Sequence, residues 1–266
     1  MTPPVALTIA GSDSGGGAGI QADLRTFAAL GVFGTTAITC VTAQNTAHVN
    51  AVQVLPAAFV RAQIEAVIED MTVSGAKTGV LYSEEIVREV AALAPSLPAL
   101  VVDPVLVAST GRRLTDDGAV RAYREVLLPA AAVATPNLLE ASVLLGEELE
   151  TLDDARRAAR RLGDLAPVVV VKGGHGNDPS VSVDVVWDGQ LIWEITQPRI
   201  DTKNTHGAGC TFSAAIAAGL ARHLSVKDAI EHANTFAHKA ILGSASWRLG
   251  AGAGPLDHFG WKEEEK

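Results

Sequence analysis

The 266-residue chain is 48% hydrophobic and 19% charged, a globular balance that excludes a disordered or fibrous polymer. Its formal charge of -9 excludes a broad basic face for nucleic acid, because nothing would offset phosphate repulsion over many contacts. Cys40 and Cys210 lie far apart without metal-type spacing, and the start has neither a basic flank nor a long apolar run, so a reducing, cytoplasmic setting without membrane partners is expected.

Val5 to Ala10 reads as a buried strand that empties into the loop Gly-Ser-Asp-Ser-Gly-Gly-Gly-Ala-Gly. Ala18 to Leu30 follows as a helix with Ile20, Leu24, Phe27 and Leu30 on one face, stopped by Gly31. Thr35 to Thr42 is the next strand, with Ala43 to Thr46 its exit loop, and Asn50 to Leu55 is a strand that need not join the main sheet. Pro56 opens a helix through about Asp70.

The alternation then repeats: strand Ala76 to Val80, helix Ser83 to Leu93, strand Leu100 to Asp103, helix Asp116 to Leu127, strand Ala132 to Thr135, helix Leu138 to Leu145, helix Asp153 to Leu162 and strand Val168 to Lys172. Val181 to Trp187 and Gln190 to Ile195, joined at Asp188-Gly189, predict a hairpin appended to that sheet. Ser225 caps a last helix to about Ser246. The pattern predicts one α/β domain over 1–266, with a mostly parallel sheet covered by helices on both faces and ligands at the carboxyl ends of its strands.

The stretch Thr202 to Leu224 stands out. Gly207 and Gly209 frame Ala208 ahead of an Ala-rich apolar helix, and no acidic residue interrupts the turn. Such a loop-to-helix junction binds anions, because free N–H groups and the helix dipole point at the ligand and glycine lets a phosphate approach. Cys210 sits at its mouth, where the dipole would favour the thiolate; the same residues would equally serve as a plain helix start with a small core cysteine.

At the other strand exits stand Asp13, Gly15 to Gly19, Gln44, Asp103, Asn137, Glu140 and Lys172. Asp103 and Glu140 supply two carboxylates, a donor set suited to hydrated Mg²⁺ on a nucleotide, and Lys172 a point charge for a phosphate. Singly each would serve as a cap, an ion pair or a solvated lysine; jointly they favour nucleotide phosphates. Gly17 to Ala22 fits G-x-G-x-x-A, but no acidic residue lies between Asp23 and Glu65 to take a ribose hydroxyl, which argues against a dinucleotide oxidoreductase. No P-loop motif occurs, and His206 and Cys210 lack a second ligand pair for zinc.

Six motifs in order carry a resemblance: Thr-Ile-Ala-Gly-Ser-Asp-Ser-Gly-Gly-Gly-Ala-Gly-Ile-Gln-Ala-Asp-Leu at 8 to 24, Val-Thr-Ala-Gln-Asn-Thr at 41 to 46, Asp-Pro-Val at 103 to 105, Thr-Pro-Asn-Leu-Leu-Glu-Ala at 135 to 141, Val-Lys-Gly-Gly-His at 171 to 175 and Asn-Thr-His-Gly-Ala-Gly-Cys-Thr at 204 to 211. The chain resembles the hydroxymethylpyrimidine/phosphomethylpyrimidine kinases of thiamine biosynthesis, in the ribokinase-like superfamily. The resemblance implies a three-layer α/β/α kinase, commonly a dimer, that uses Mg-ATP to phosphorylate 4-amino-5-hydroxymethyl-2-methylpyrimidine and then its monophosphate.

It also implies site residues. Cys210, Gly207, Gly209 and Lys172 would be catalytic, with Cys210 standing where many ribokinase relatives carry aspartate. Lys172, Asn137, Thr205, Gly207, Ala208 and Gly209 would hold ATP, and Asp103 and Glu140 the metal. Gln44 would read the ring, its planar amide matching an exocyclic amine and the neighbouring ring nitrogen. Gly11, Ala18, Thr42, Val80 and Val107 would line the pocket, Val80 departing from the methionine often found there; Asp23 would hold the hydroxymethyl end or be a polar helix residue. A pyridoxal kinase and a non-catalytic nucleotide-binding relative are the alternatives.

Overall fold

The computed structural model describes residues 2–107, 114–173 and 180–261. Strands β1 (Val5–Asp13), β2 (Phe33–Gln44), β3 (Val49–Val54), β4 (Val73–Thr78), β5 (Leu100–Val102), β6 (Val133–Ala134), β7 (Val169–Val171), β8 (Val181–Trp187) and β9 (Ile192–Pro198) form one nine-stranded sheet in the order β3-β2-β1-β4-β5-β6-β7-β8-β9. The run from β2 to β7 is parallel, and β3, β8 and β9 are antiparallel at its edges. The helices are α1 (Gly19–Ala29), α2 (Ala57–Asp70), α3 (Glu84–Leu93), α4 (Asp117–Ala122), α5 (Leu138–Leu145), α6 (Leu152–Leu162), α7 (Ala208–Ala221) and α8 (Val226–Gly243).

Strand alternation sorts the core into two faces. Leu7, Ile9, Val102, Val169 and Val171 meet residues of α2 to α6, whereas Ala6, Val101, Val133 and Val170 meet Phe27 of α1 and residues of α7 and α8. Both faces of β5, β6 and β7 are therefore apolar, which explains their unbroken Val-rich runs. α7 is buried from Thr211 to Ala221 because its small side chains let it lie close on the sheet. At Gly75 of β4 an added Cβ would stand 2.6 Å from the Ala217 carbonyl oxygen, so neither side has room for a larger residue.

Several boundaries differ from expectation, each through a tertiary contact. β1 runs on to Asp13, because Ser12 and Asp13 pair with Val41 and Thr42 of β2 after an irregularity at Gly11. Gln44 ends β2 and pairs with Val49, rather than lying in an exit loop, and β3 is joined to the main sheet. The hairpin of β8 and β9 is appended to that sheet as expected, pairing antiparallel with its edge strand β7. Its turn is wider than two residues: the Asp188 carboxylate accepts the N–H groups of Gln190 and Leu191 at 3.0 and 2.7 Å, which delays β9 to Ile192. The helix expected over 116–127 widens into a π turn at Tyr123–Leu127, and α8 ends at Gly243. No helix among the described residues is long and apolar enough to cross a membrane.

The strand order reverses at β1, whose neighbours β2 and β4 lie on opposite sides. A crevice at the carboxyl ends of β1 and β4 is the ligand position of such sheets.

Candidate active site

The turn into α7 depends on Gly207. Its φ of 86° is left-handed, and an added Cβ would stand 2.0 Å from the Gly17 carbonyl oxygen and 3.2 Å from the Ala18 Cα. The pre-α7 turn and the Gly-rich loop after β1 are therefore in backbone contact. Thr211 N–H makes the first intrahelical bond, to Gly207 O at 2.8 Å, which leaves the Gly209 and Cys210 N–H groups pointing out of the helix end. Ala208 N–H is tied to the Thr205 carbonyl at 3.1 Å. Replacing Gly207 with alanine is expected to cost about 1–2 kcal/mol for the left-handed backbone alone. The displaced loop should also raise the KM for ATP; a melting curve and initial rates check both, and an unchanged KM would contradict the close packing of the two loops.

Asp13 organises the Gly-rich loop. Its Oδ1 accepts Gly15 N–H at 2.8 Å, and its Oδ2 accepts the N–H groups of Gly17 and Ala18 at 3.0 Å each. His206 Nε2, one residue before the turn into α7, lies 3.0 Å from the same Oδ2 and 3.2 Å from Gln44 Nε2. Burial works against the Asp13 charge, but the His206 bond and the loop N–H groups outweigh it and hold its carboxyl below the usual range. Thr42 Oγ1 donates to Ser12 O at 3.1 Å, fastening β2 to the same loop. Ala18 and Gln44 thus stand beside the Gly207 turn. Gly11 faces Val80, whose Cγ1 would be 2.8 Å from an added Cβ there. Val107 packs on the core that contains Leu81 and Leu106.

Lys172 closes the other side. Lys172 and Asn137 form a parallel bridge, and Lys172 Nζ lies 2.8 Å from Asp103 Oδ1 and 3.9 Å from Glu140 Oε2. A Cβ on Gly209 would be 3.1 Å from the same Nζ, so the lysine charge sits at the α7 N-terminus. Asn137 and Glu140 form a capping box at the start of α5, with bonds of 2.8 and 2.7 Å. Glu140 is nonetheless 3% exposed. Burial, opposed by Lys172 and reinforced by Asp103, pushes its carboxyl up to about 7. Asp103 also accepts from Ser213 Oγ of α7 at 3.2 Å and from Thr135 Oγ1 at 3.3 Å. Gly174 and His175, the end of the Val-Lys-Gly-Gly-His motif, lie outside the described residues.

Two expectations are corrected. The Cys210 thiol is pushed up to about 11, not down: burial dominates, and the charges of Asp23 and Asp103 add to it against Lys77 and the Gly19 N–H. The helix dipole alone does not set this group, which is a neutral thiol at pH 7. Asp23 is fully buried, with Lys77 Nζ 3.0 and 3.1 Å from its two oxygens and Thr8 Oγ1 at 2.6 Å, so its carboxylate is engaged rather than free to hold a hydroxymethyl group. Burial opposes the Lys77 charge, but the Asp23 carboxylate, with Asp103 behind it, outweighs burial and raises its pKa. Lys77, Ser213 and the linking role of His206 escaped sequence reasoning; a lone cation inside the short buried strand Val-Ser-Gly-Ala-Lys-Thr was the available signal for the first.

The family model described as phosphomethylpyrimidine kinase matches residues 13–257. The chain is 48% identical over 261 residues to the hydroxymethylpyrimidine/phosphomethylpyrimidine kinase of Synechococcus elongatus, covering 97% of this chain and 98% of that one. It is 44% identical over 260 residues to the Bacillus subtilis protein of the same name, covering 97% and 95%. Among solved structures, an ADP complex of Bacillus subtilis pyridoxal kinase matches with a TM-score of 0.88 at 40% identity, covering 97% and 98%. The phosphomethylpyrimidine kinase of Clostridium difficile matches with a TM-score of 0.79 at 36% identity, covering 90% and 99%.

Proposed function

Because the chain belongs to the phosphomethylpyrimidine kinase family, and is accordingly an ATP-using phosphotransferase, we propose that one pocket phosphorylates 4-amino-5-hydroxymethyl-2-methylpyrimidine and then its monophosphate. The observation that carries this reading is the meeting of Lys172 and, through His206, Gln44 at the α7 N-terminus. The Gly209 and Cys210 N–H groups and the Lys172 ammonium are the donors for a transferring phosphoryl group, which needs alignment and charge stabilisation more than covalent chemistry. Asn137, which bridges to Lys172, and Thr205 and Ala208, joined by a backbone bond in the turn, would form the nucleotide side.

The acidic pair fits a divalent ion. Glu140 carries a buried carboxyl whose charge is disfavoured beside Asp103, and a bound cation would relieve that repulsion. Mg²⁺ held by Asp103 and Glu140 would offset charge on the ATP phosphates.

A neutral Cys210 suits both steps. In the first, the hydroxyl oxygen attacks the γ-phosphorus as the bond from that phosphorus to the β,γ-bridging oxygen breaks and ADP leaves; the loose transition state asks little of a base, and the hydroxyl proton passes to an oxygen of the transferred phosphoryl group and from there to solvent. In the second, the nucleophile is an anionic phosphate, which a permanent carboxylate at 210 would repel and a thiol does not. Cys210→Asp is therefore expected to slow the second phosphorylation more than the first, measured by product analysis over time. Equal losses would count against this account.

Pyridoxal phosphorylation is the second reading, favoured by the likeness to solved pyridoxal kinases. An ADP-release assay with each alcohol separates the two. Within the same proposal the chain is one domain over 1–266, cytoplasmic and homodimeric. Support comes from the continuous sheet, the free Cys40 and Cys210, and the family resemblance. Sedimentation tests the dimer.

A further inference from the structure

The Gln44 main chain is pinned: its N–H donates to Ser14 Oγ at 2.8 Å, and Ser14 Oγ donates back to Gln44 O at 2.7 Å. What remains open is which end of its carboxamide faces the ligand, since the oxygen and nitrogen are alike in shape and are told apart only by their partners. His206 supplies that partner. Its ring is fixed by contact with Gly17, where an added Cβ would lie 2.4 Å from Cδ2, and its main-chain N–H is held by Gly254 O at 3.1 Å.

One ring nitrogen of His206 faces both Asp13 and Gln44, at 3.0 and 3.2 Å, and it cannot donate to one while accepting from the other. Asp13 decides between them. Its carboxylate already accepts three backbone N–H groups and is 5% exposed, and a bond to an ionised acceptor is about twice as strong as a neutral one. The proton therefore sits on Nε2. With Gln44 Nε2 turned toward it, donor would face donor; a half turn of the amide lets Oε1 share that N–H with Asp13 in a three-centre bond and sends the NH₂ group the other way.

The geometry points to the Asp13–His206 pair as the device that orients Gln44, so that Gln44 offers its NH₂ to an acceptor atom in the substrate ring and does not read the exocyclic amine. This rests on the pyrimidine reading above and adds two positioning residues to it. Neither Asp13 nor His206 needs to touch the substrate; they act through Gln44.

The test uses the full chain and two alcohols, the 4-amino pyrimidine and its analogue lacking only the amine. Gln44→Ala is expected to raise KM roughly tenfold for both, the effect of one lost hydrogen bond. A loss confined to the amino compound would overturn the inference. His206→Phe should raise KM for the pyrimidine by a similar factor in the native background and add nothing on top of Gln44→Ala; additive losses would overturn it too. Gln44→Glu offers only acceptors and leaves His206 untouched: it should weaken both alcohols, and retention of the amino compound would also refute the assignment. If the native enzyme phosphorylates pyridoxal but not the pyrimidine, the functional reading falls, and the His206 and Gln44 cycle measured with pyridoxal decides the orientation independently.

Discussion

Replacing Lys172 with methionine is expected to lower kcat/KM for ATP by about 10²- to 10³-fold, the scale on which one preorganised donor to a developing charge acts. Burial works against the Lys172 charge, but Asp103 and Glu140 outweigh it and push its pKa up to about 12. The ammonium is therefore always present at neutral pH and always at the mouth of α7. Its removal has a second consequence, because Asp103 and Glu140 are 1% and 3% exposed and lose the cation between them. Breaking such a pair costs about 3 kcal/mol, read as a lower denaturation midpoint. Glu140 should then hold its proton to higher pH. A variant that kept native kcat/KM would remove Lys172 from the phosphate site.

Lys77→Met carries the other large effect, and it is on folding. Lys77 and Asp23 are both fully buried and joined at 3.0 Å, so the single change strands an uncompensated carboxylate and is expected to cost about 3–5 kcal/mol. Adding Asp23→Leu should restore most of that loss, because a buried ion pair seldom exceeds the apolar contacts of similar volume that replace it. Urea titration of the two variants checks the pair. A double variant no more stable than the single one would mean that Thr8 and the surrounding strands depend on the Asp23 carboxylate for more than charge balance. The same double variant should alter Cys210, since Lys77 opposes, and Asp23 reinforces, the upward push on its thiol.

Much of the molecule was legible from local pattern. The alternation of apolar runs and amphipathic stretches predicted strand and helix order, because a strand buried on both faces and a helix with one apolar side leave different periods in the chain. The boundaries Leu138–Leu145 and Val181–Trp187 agree with the structure residue for residue, the first because Asn137 and Glu140 form a reciprocal cap within four residues. The turn at Gly207 was legible for a similar reason: a glycine pair ahead of an apolar helix has a local meaning. Misplaced boundaries fell where cross-strand pairing rather than local pattern sets the end of a strand, as at Ser12 opposite Val41 and at Gln44 opposite Val49.

By itself, then, the sequence determined the layered α/β architecture, the glycine turn at Gly207 that opens α7, and the family to which the chain belongs. Tertiary structure alone decided the states of the site's groups. Lys77 meets Asp23 across 54 residues, Gln44 meets His206 across 162, and His206 meets Asp13 across 193. Whether Cys210 is thiol or thiolate, whether Asp23 is free, and which way Gln44 points all depend on desolvation and on charges brought close by packing. Those quantities are properties of the assembled neighbourhood, and no window of consecutive residues contains them.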